Sequence, residues 1–475
     1  MNFVSQKFMQ GWAQLGPRFL PFADAATLEL PLGRLLRLSL FQVTVGMALV
    51  LLVGTLNRVM IVELSVPASI VSIMISLPLI FAPFRALIGF RSDTHQSLLG
   101  WRRVPFIFRG TMLQFGGLAC MPFALLVLSG GGESARYPIW VGQLGAGISF
   151  LLVGAGLHTV QTIGLALATD LSKPETQPKV VGLMYVMLLM GMIVSAFAFG
   201  ASLAEFSPLR LVQVIQACAI ITLVLNSVAA WKQEGRHAAR RQIDRSPPSF
   251  RESWSSFTQG GHAIRRLLVV STGTMGFSMA DVLLEPYGGQ ILHLSVGATT
   301  SLTATLAAGG LFGLGLASRV LGRGADPFKM ASYGVMCGIP AFIAVIAAAP
   351  YHAAEFFALG TFLIGFGAGL FGHGTLTATM NLAPRSQIGL ALGAWGASQA
   401  LAAGLAIAFG GILRDLVALM PTQTIFGPAL SYVSVYALEI VMLTLTLIIM
   451  LPLLRKGAYV PEPNPSPVAA QFTAQ

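Results

Sequence analysis

The sequence predicts an all-α membrane protein with twelve transmembrane helices in two pseudo-symmetric six-helix halves. Three observations carry this. First, the 475 residues are 55% hydrophobic and only 10% charged, with a mean hydropathy of +0.75. An ordinary soluble domain is about 25% charged, so this much apolar surface calls for lipid as its solvent. Second, the 29 Lys and Arg fall on one side of the predicted topology, apart from Arg58, Arg136, Arg210 and Arg414. That is the positive-inside pattern with both termini in the cytoplasm. It accounts for the net charge of +11 without nucleic acid. Third, the second half of the chain repeats the first.

The elements follow in order. Residues 1–35 form a polar, amphipathic cytoplasmic segment without the basic, apolar, small-residue order of a cleaved signal peptide. The N-terminal half occupies 36–231, with apolar segments at 36–57, 66–88, 105–129, 138–168, 179–202 and 208–231. A span needs about 20 apolar residues, and the longer segments tilt or project. Residues 232–265 are a basic cytoplasmic linker with Pro-Pro at its middle. The C-terminal half, 266–454, has apolar segments at 266–290, 295–319, 328–349, 354–380, 386–413 and 428–454. The tail at 455–475 has the composition of a disordered segment.

The repeat is read from four matches in the same order. "LSVPA" at 64–68 recurs as "LSVGA" at 294–298, and "CMPF" at 120–123 as "CGIPAF" at 337–342. "GAGL" at 154–157 recurs at 367–370, and "LATDL" at 167–171 faces "TATMNL" at 377–382. A duplicated six-helix unit is the signature of the major facilitator architecture, with a central cavity between its halves. The loop "GFRSDTHQSLLGWRRVPF" resembles that architecture's cytoplasmic motif through Gly89, Arg91, Asp93, Gly100, Arg102 and Arg103. The gap between Asp93 and Gly100 is longer than the motif's. The equivalent after the eighth span keeps Arg319, Gly322 and Arg323 without a matching acid, so an asymmetric latch is expected.

No enzyme constellation emerges. "GAGLFG" at 367–372 spells a dinucleotide fingerprint but lies within an apolar span, where small residues serve helix packing. Cys120, Cys218 and Cys337 fall inside spans without metal-ligand spacing and are read as small buried hydrophobes. Ionisable residues inside spans carry more weight, because charge in lipid is costly. Asp281 and Glu285, four apart in "DVLLEPYGGQIL", share one helix face, and Pro286 is expected to break that helix. Arg58 and Glu63 sit at the corresponding end of the first span. Five residues apart, they would point about 140° from each other on a continuous α-helix. They are expected to pair only if the helix ends between them or through other helices, with Arg58 meeting Asp281 or Glu285 across the seam between halves. His158 and His373 lie within the fourth and tenth spans, where an imidazole can carry a proton, ligate a tetrapyrrole metal or bond to a backbone carbonyl.

Four stretches together resemble one family. They are residues 20–68, "APFRALIGFRSDTHQSLLGWRRVPF", "GLHTVQTIGLALATDL" and "DVLLEPYGGQIL". They are similar to the PucC/LhaA family of phototrophic bacteria, from about Leu20 to Leu454. The resemblance implies a non-enzymatic assembly factor of light-harvesting complexes in the bacterial inner, intracytoplasmic photosynthetic membrane. Such a factor escorts bacteriochlorophyll, with carotenoid a further candidate, or antenna α and β polypeptides. Its partners would be those polypeptides, the reaction centre–antenna complex and lipid. The N-terminal stretch and the length favour an LhaA-like role toward the core antenna (LH1) over a PucC-like role toward the peripheral antenna (LH2). His158 and His373 are then candidate pigment ligands, while Arg58, Glu63, Asp281 and Glu285 form a polar network at the seam. The rival expectation is a secondary transporter moving a small solute or pigment precursor with proton coupling. The acids' position near helix ends weighs against it.

Overall fold

The computed structural model describes residues 30–80, 88, 92, 101–130, 132–173, 176–234, 263–382, 388–420 and 426–454. The N-terminal segment, most of the linker and the tail lie outside the described residues, as do Gly89, Arg91, Asp93 and Gly100. Among the described residues the protein is all helical and has no strand.

The first half comprises α1 (Leu32–Glu63), α2 (Ala68–Ile80) and α3 (Val104–Leu128). It continues with α4 (Ile139–Asp170), α5 (Gln177–Ser202) and α6 (Pro208–Ala230). The second half comprises α7 (Ala263–Gln290), α8 (Val296–Leu321) and α9 (Pro327–Tyr351). It ends with α10 (Ala354–Leu382), α11 (Ile388–Ala418) and α12 (Leu430–Leu454). Eleven are long and apolar enough to cross a membrane, and α2 is a shorter apolar helix over its described length.

The internal repeat is visible as repeated packing. α3 lies on α4 and on α6, and their counterpart α9 lies on α10 and on α12. α1 packs on α5, as α7 packs on α11. The halves meet through two symmetry-related pairs, α2 with α11 and α5 with α8. Small residues let these backbones approach. A Cβ added to Gly297 on α8 would lie 2.6 Å from the carbonyl oxygen of Gly200 on α5. The two GAGL copies serve the same end: Gly156 packs on α3 and Gly367 on α9.

The outer faces are apolar and exposed, as lipid-facing helices require; Phe123 and Phe312 are 70% and 66% exposed. Inside the first half one cluster of buried polar side chains is bonded across helices. Thr44 donates to Asn226 Oδ1 at 2.7 Å, and Asn226 Nδ2 donates to Thr111 at 3.1 Å and Gln114 at 3.2 Å. Cys218 is buried as expected, but Cys120 is exposed on α3 and Cys337 is partly so. Cys120 faces out of the helix packing, whereas Cys337 lies against α10, its Sγ 3.9 Å from the Leu363 carbonyl oxygen.

Two helices depart from the expected form. α1 does not end at Asn57 but continues to Glu63, with π-helical stretches at Val50–Leu56 and Val59–Glu63. α7 breaks before Pro286: an α-helix to Ser278 gives way to a 3₁₀ turn at Ala280–Val282, then a short helix Leu284–Gln290. Pro286 therefore lies in the first turn of that helix, a position where helices tolerate proline.

Candidate functional site

At the basic end of the bundle, Arg102 and Arg103 close a latch within the first half. Arg102 Nη2 and Arg103 Nε both donate to Asp170 Oδ2 at the end of α4, at 2.7 and 3.0 Å. Arg103 also donates to Ser92 Oγ. Glu234, just past α6, accepts the backbone N–H of Arg102 at 2.8 Å and those of Arg103 and Val104 at 3.0 Å. A carboxylate on these orphan donors is the charge a helix N-terminus favours. Arg34 of α1 binds Gln233 beside it, through the carbonyl oxygen at 2.8 Å. Across in the second half, Arg319 and Arg323 are exposed and make no ion pair among the described residues. Asp326 there caps α9, accepting from Phe328 N–H at 2.8 Å.

At the opposite end lies the seam. Arg58, buried on α1, donates to Glu63 Oε1 at 2.6 Å and to the Leu294 carbonyl at 3.1 Å. The expectation that these two could pair only if the helix ended between them is corrected by the π-helical turn. Its bonds run from i to i+5, which stacks residues five apart. Arg58 reaches the second half through a backbone carbonyl, not through an ion pair with Asp281 or Glu285. Leu294 opens "LSVGA", the second copy of the motif that follows Glu63. Gly289 leaves the room: a Cβ there would lie 3.0 Å from Arg58 Nε and Nη2.

Three further bonds tie the halves together. Asn57 Nδ2 donates to the Val282 carbonyl at 2.7 Å. The Thr55 and Thr300 hydroxyls lie 3.3 Å apart. Asp415 Oδ2 on α11 accepts the Ser69 N–H at 2.7 Å, so the second half caps the start of α2. Beside it, Arg414 Nη2 donates to Gln290 Oε1 at 2.7 Å, and the Tyr432 hydroxyl donates to the same oxygen at 2.6 Å.

Asp281 and Glu285 line one cavity of about 180 Å³ between the halves. Its walls come from α1, α5, α7, α8 and α10. Glu285 Oε1 accepts the Thr303 hydroxyl and occupies the space that a side chain at Gly54 would fill. Glu439 on α12 is fully buried and accepts the Ala280 N–H at 2.7 Å. Sequence reasoning missed Glu439, although a lone acid in the apolar run "YALEIVMLTL" was the signal.

His158 on α4 and His373 on α10 are half-buried on different halves, and neither lines the cavity. Among the described residues no group of three His, Cys, Asp or Glu is arranged to hold a metal ion.

The family model described as PUCC protein matches residues 55–458. Protein PucC of Rhodovulum sulfidophilum is 62% identical over 420 residues, covering 88% of this chain and 92% of that one. An uncharacterized protein of the puhA–bchM intergenic region of Rhodobacter capsulatus is 50% identical, covering 94% of each. A more distant relative from that species, a bacteriochlorophyll synthase 44.5 kDa chain, is 28% identical over 83% of this chain and 90% of its own. Among solved structures, an inward-facing bacterial homologue of the human lysosomal transporter Spinster superposes with a TM-score of 0.63 at 14% identity. It covers 88% of this chain and 95% of its own, and shows the fold alone. With twelve helices in two repeated halves among the described residues and a family match across most of its length, the chain belongs to the PUCC protein family and has a major facilitator fold.

Proposed function

We propose that this protein is a non-enzymatic assembly factor for light-harvesting antenna complexes, escorting bacteriochlorophyll, antenna polypeptides or both within the photosynthetic inner membrane. The observation that carries the reading is the family match over residues 55–458. The distribution of Lys and Arg supports a cytoplasmic basic end, with both termini on that side. Pigment belongs on the outer helix faces. The cavity of about 180 Å³ is smaller than the roughly 300–1,000 Å³ that drug-sized ligands occupy. Of the two histidines, His158 already has a partner. His373 stands next to Gly372, whose face is open to at least 4 Å, and is the better-placed pigment ligand.

The identity of 62% to a protein called PucC, against 50% for the intergenic-region protein, favours the peripheral antenna as client. This runs against the core antenna expected from the N-terminal stretch. The test is a phototrophic strain lacking this protein, with the gene restored or not, in which core and peripheral antenna are quantified separately. Loss of the peripheral antenna with the core retained is expected; both antennae unchanged would sink the reading. Protein purified from the restored strain should carry antenna polypeptides or pigment, with less pigment in His373→Phe.

A second reading, a secondary transporter, is favoured by one observation: Asp281 and Glu285 face an internal cavity between the halves rather than bulk solvent.

A further inference from the structure

The antenna reading places pigment on the outer helix faces and gives no role to the cavity holding Asp281 and Glu285. Most of its wall is hydrocarbon: Leu49, Val53, Met192, Leu302, Leu306 and the Phe357 ring. Among the described residues the polar groups on it are the two carboxyls and the hydroxyls of Thr303 and Thr361, and no Lys, Arg or His lines it. Thr361 donates its hydroxyl to the Phe357 carbonyl at 2.8 Å, within its own helix. Glu285 is 5% exposed; its Oε1 takes the Thr303 hydroxyl, and its Oε2 has no hydrogen-bond partner. Arg58, the cation within electrostatic reach of Glu285, is already held by Glu63 and the Leu294 carbonyl. Glu439 lies within electrostatic reach of Asp281 and makes the surroundings more acidic still.

A carboxyl buried among apolar groups must hold a proton or be answered by a positive charge, because its bare ionised form is costly there. The lining selects which kind. Ca²⁺ or Mg²⁺ needs about six or more oxygen ligands, several of them waters, which these hydrocarbon walls would strand. An ammonium group carrying a short alkyl chain fits both surfaces. Its head answers Glu285 and Asp281, its carbons lie on Leu, Val and Met, and the Phe357 ring can accept the cation on its face. The volume of about 180 Å³ is comparable with the roughly 150 Å³ apolar cavity that takes up benzene, and so suits an amine of a few carbons.

We propose that this half–half cavity is a binding site for a small organic cation of the alkylammonium class, with Glu285 as its counter-charge. The inference rests on the cavity's geometry and stands apart from the antenna reading.

The test is calorimetric titration of the purified full-length protein, in amine-free buffer, with isobutylammonium chloride. Isobutanol serves as a neutral probe of the same shape, and potassium chloride and magnesium chloride as inorganic cations. Saturable binding of isobutylammonium is expected, at least tenfold weaker or absent for isobutanol and both salts. Glu285→Gln should weaken it at least tenfold, while Glu205→Gln, at an exposed acid paired with Arg210, should leave it unchanged. The wild-type comparison decides even if Glu285→Gln does not fold. No saturable binding, equal binding of isobutanol, equal binding of the inorganic cations, or full binding by a folded Glu285→Gln would each overturn the proposal. Antenna levels in membranes report on the other reading, so one can fail without the other.

Discussion

At the scale of single residues, the Arg58–Glu63 pair is unequal. The Arg58 side chain is 5% exposed and that of Glu63 38%. Removing Glu63 leaves a guanidinium buried without its partner; removing Arg58 leaves a carboxylate that water still reaches. A buried charge stripped of its partner costs far more than a solvated one. Glu63→Gln is therefore expected to lower thermal stability by about 1–3 kcal/mol. Arg58→Met, which keeps the bulk under Gly289, should cost less. The double variant should be more stable than Glu63→Gln alone, as thermal unfolding in detergent would read. A double variant less stable than Glu63→Gln would show that Arg58 acts through the Leu294 carbonyl and not through the pair. The sequence showed that these two charges required a reason. It could not show their pairing, because the π-helical turn that stacks them is a backbone choice that side-chain spacing does not encode.

At the scale of the element, the break in α7 explains several residues at once. In a continuous α-helix the Val282 carbonyl would accept the N–H of the residue four positions on. That residue is Pro286, which has no N–H. Asn57 supplies the donor instead, from the other half, at 2.7 Å. Glu439 does the reciprocal service for the Ala280 N–H on the near side of the break. Asn57→Ala thus leaves a buried carbonyl unpaired, at a cost of about 1–3 kcal/mol. Pro286→Ala restores a backbone donor where Asn57 had been needed. Combined, the two substitutions should cost clearly less than the sum of the single losses. Strict additivity in thermal unfolding would mean that the side chain does not replace the missing amide. Here the sequence was legible to a point. Pro286 signalled an interruption, but the break falls ahead of it, so Asp281 in the 3₁₀ turn and Glu285 in the short helix share a cavity and not the one helix face that their four-residue spacing predicted, and the two repairing side chains come from other helices.

At the scale of the whole molecule, the twelve spans and their division were readable because lipid forces every backbone polar group into helices and every solvent-facing position to be apolar. The helix pairs that form the seam were not readable. It is made by contacts between α5 and α8 and between α2 and α11, which lie far apart in sequence. Their decisive residues are glycines, and 52 glycines hide the few that matter. Gly200 and Gly297 are two of these, since each would place a Cβ within 3.0 Å of the other's carbonyl oxygen. Gly315, on the same helix α8, has nothing within 4 Å of its Cβ position. The seam therefore predicts opposite outcomes for one chemical change. Gly297→Leu must push α8 off α5, at an overpacking cost of about 1–3 kcal/mol or more. It would also strain the bonds that fasten the same boundary, from Thr55 to Thr300 and from Arg58 to Leu294. Gly315→Leu adds a side chain where there is room. Size-exclusion profiles and thermal unfolding of the two variants should separate clearly, with Gly297→Leu the less stable and Gly315→Leu close to the parent. Equal behaviour would mean that the halves are held by the polar bonds at their end and not by close backbone contact along α5 and α8.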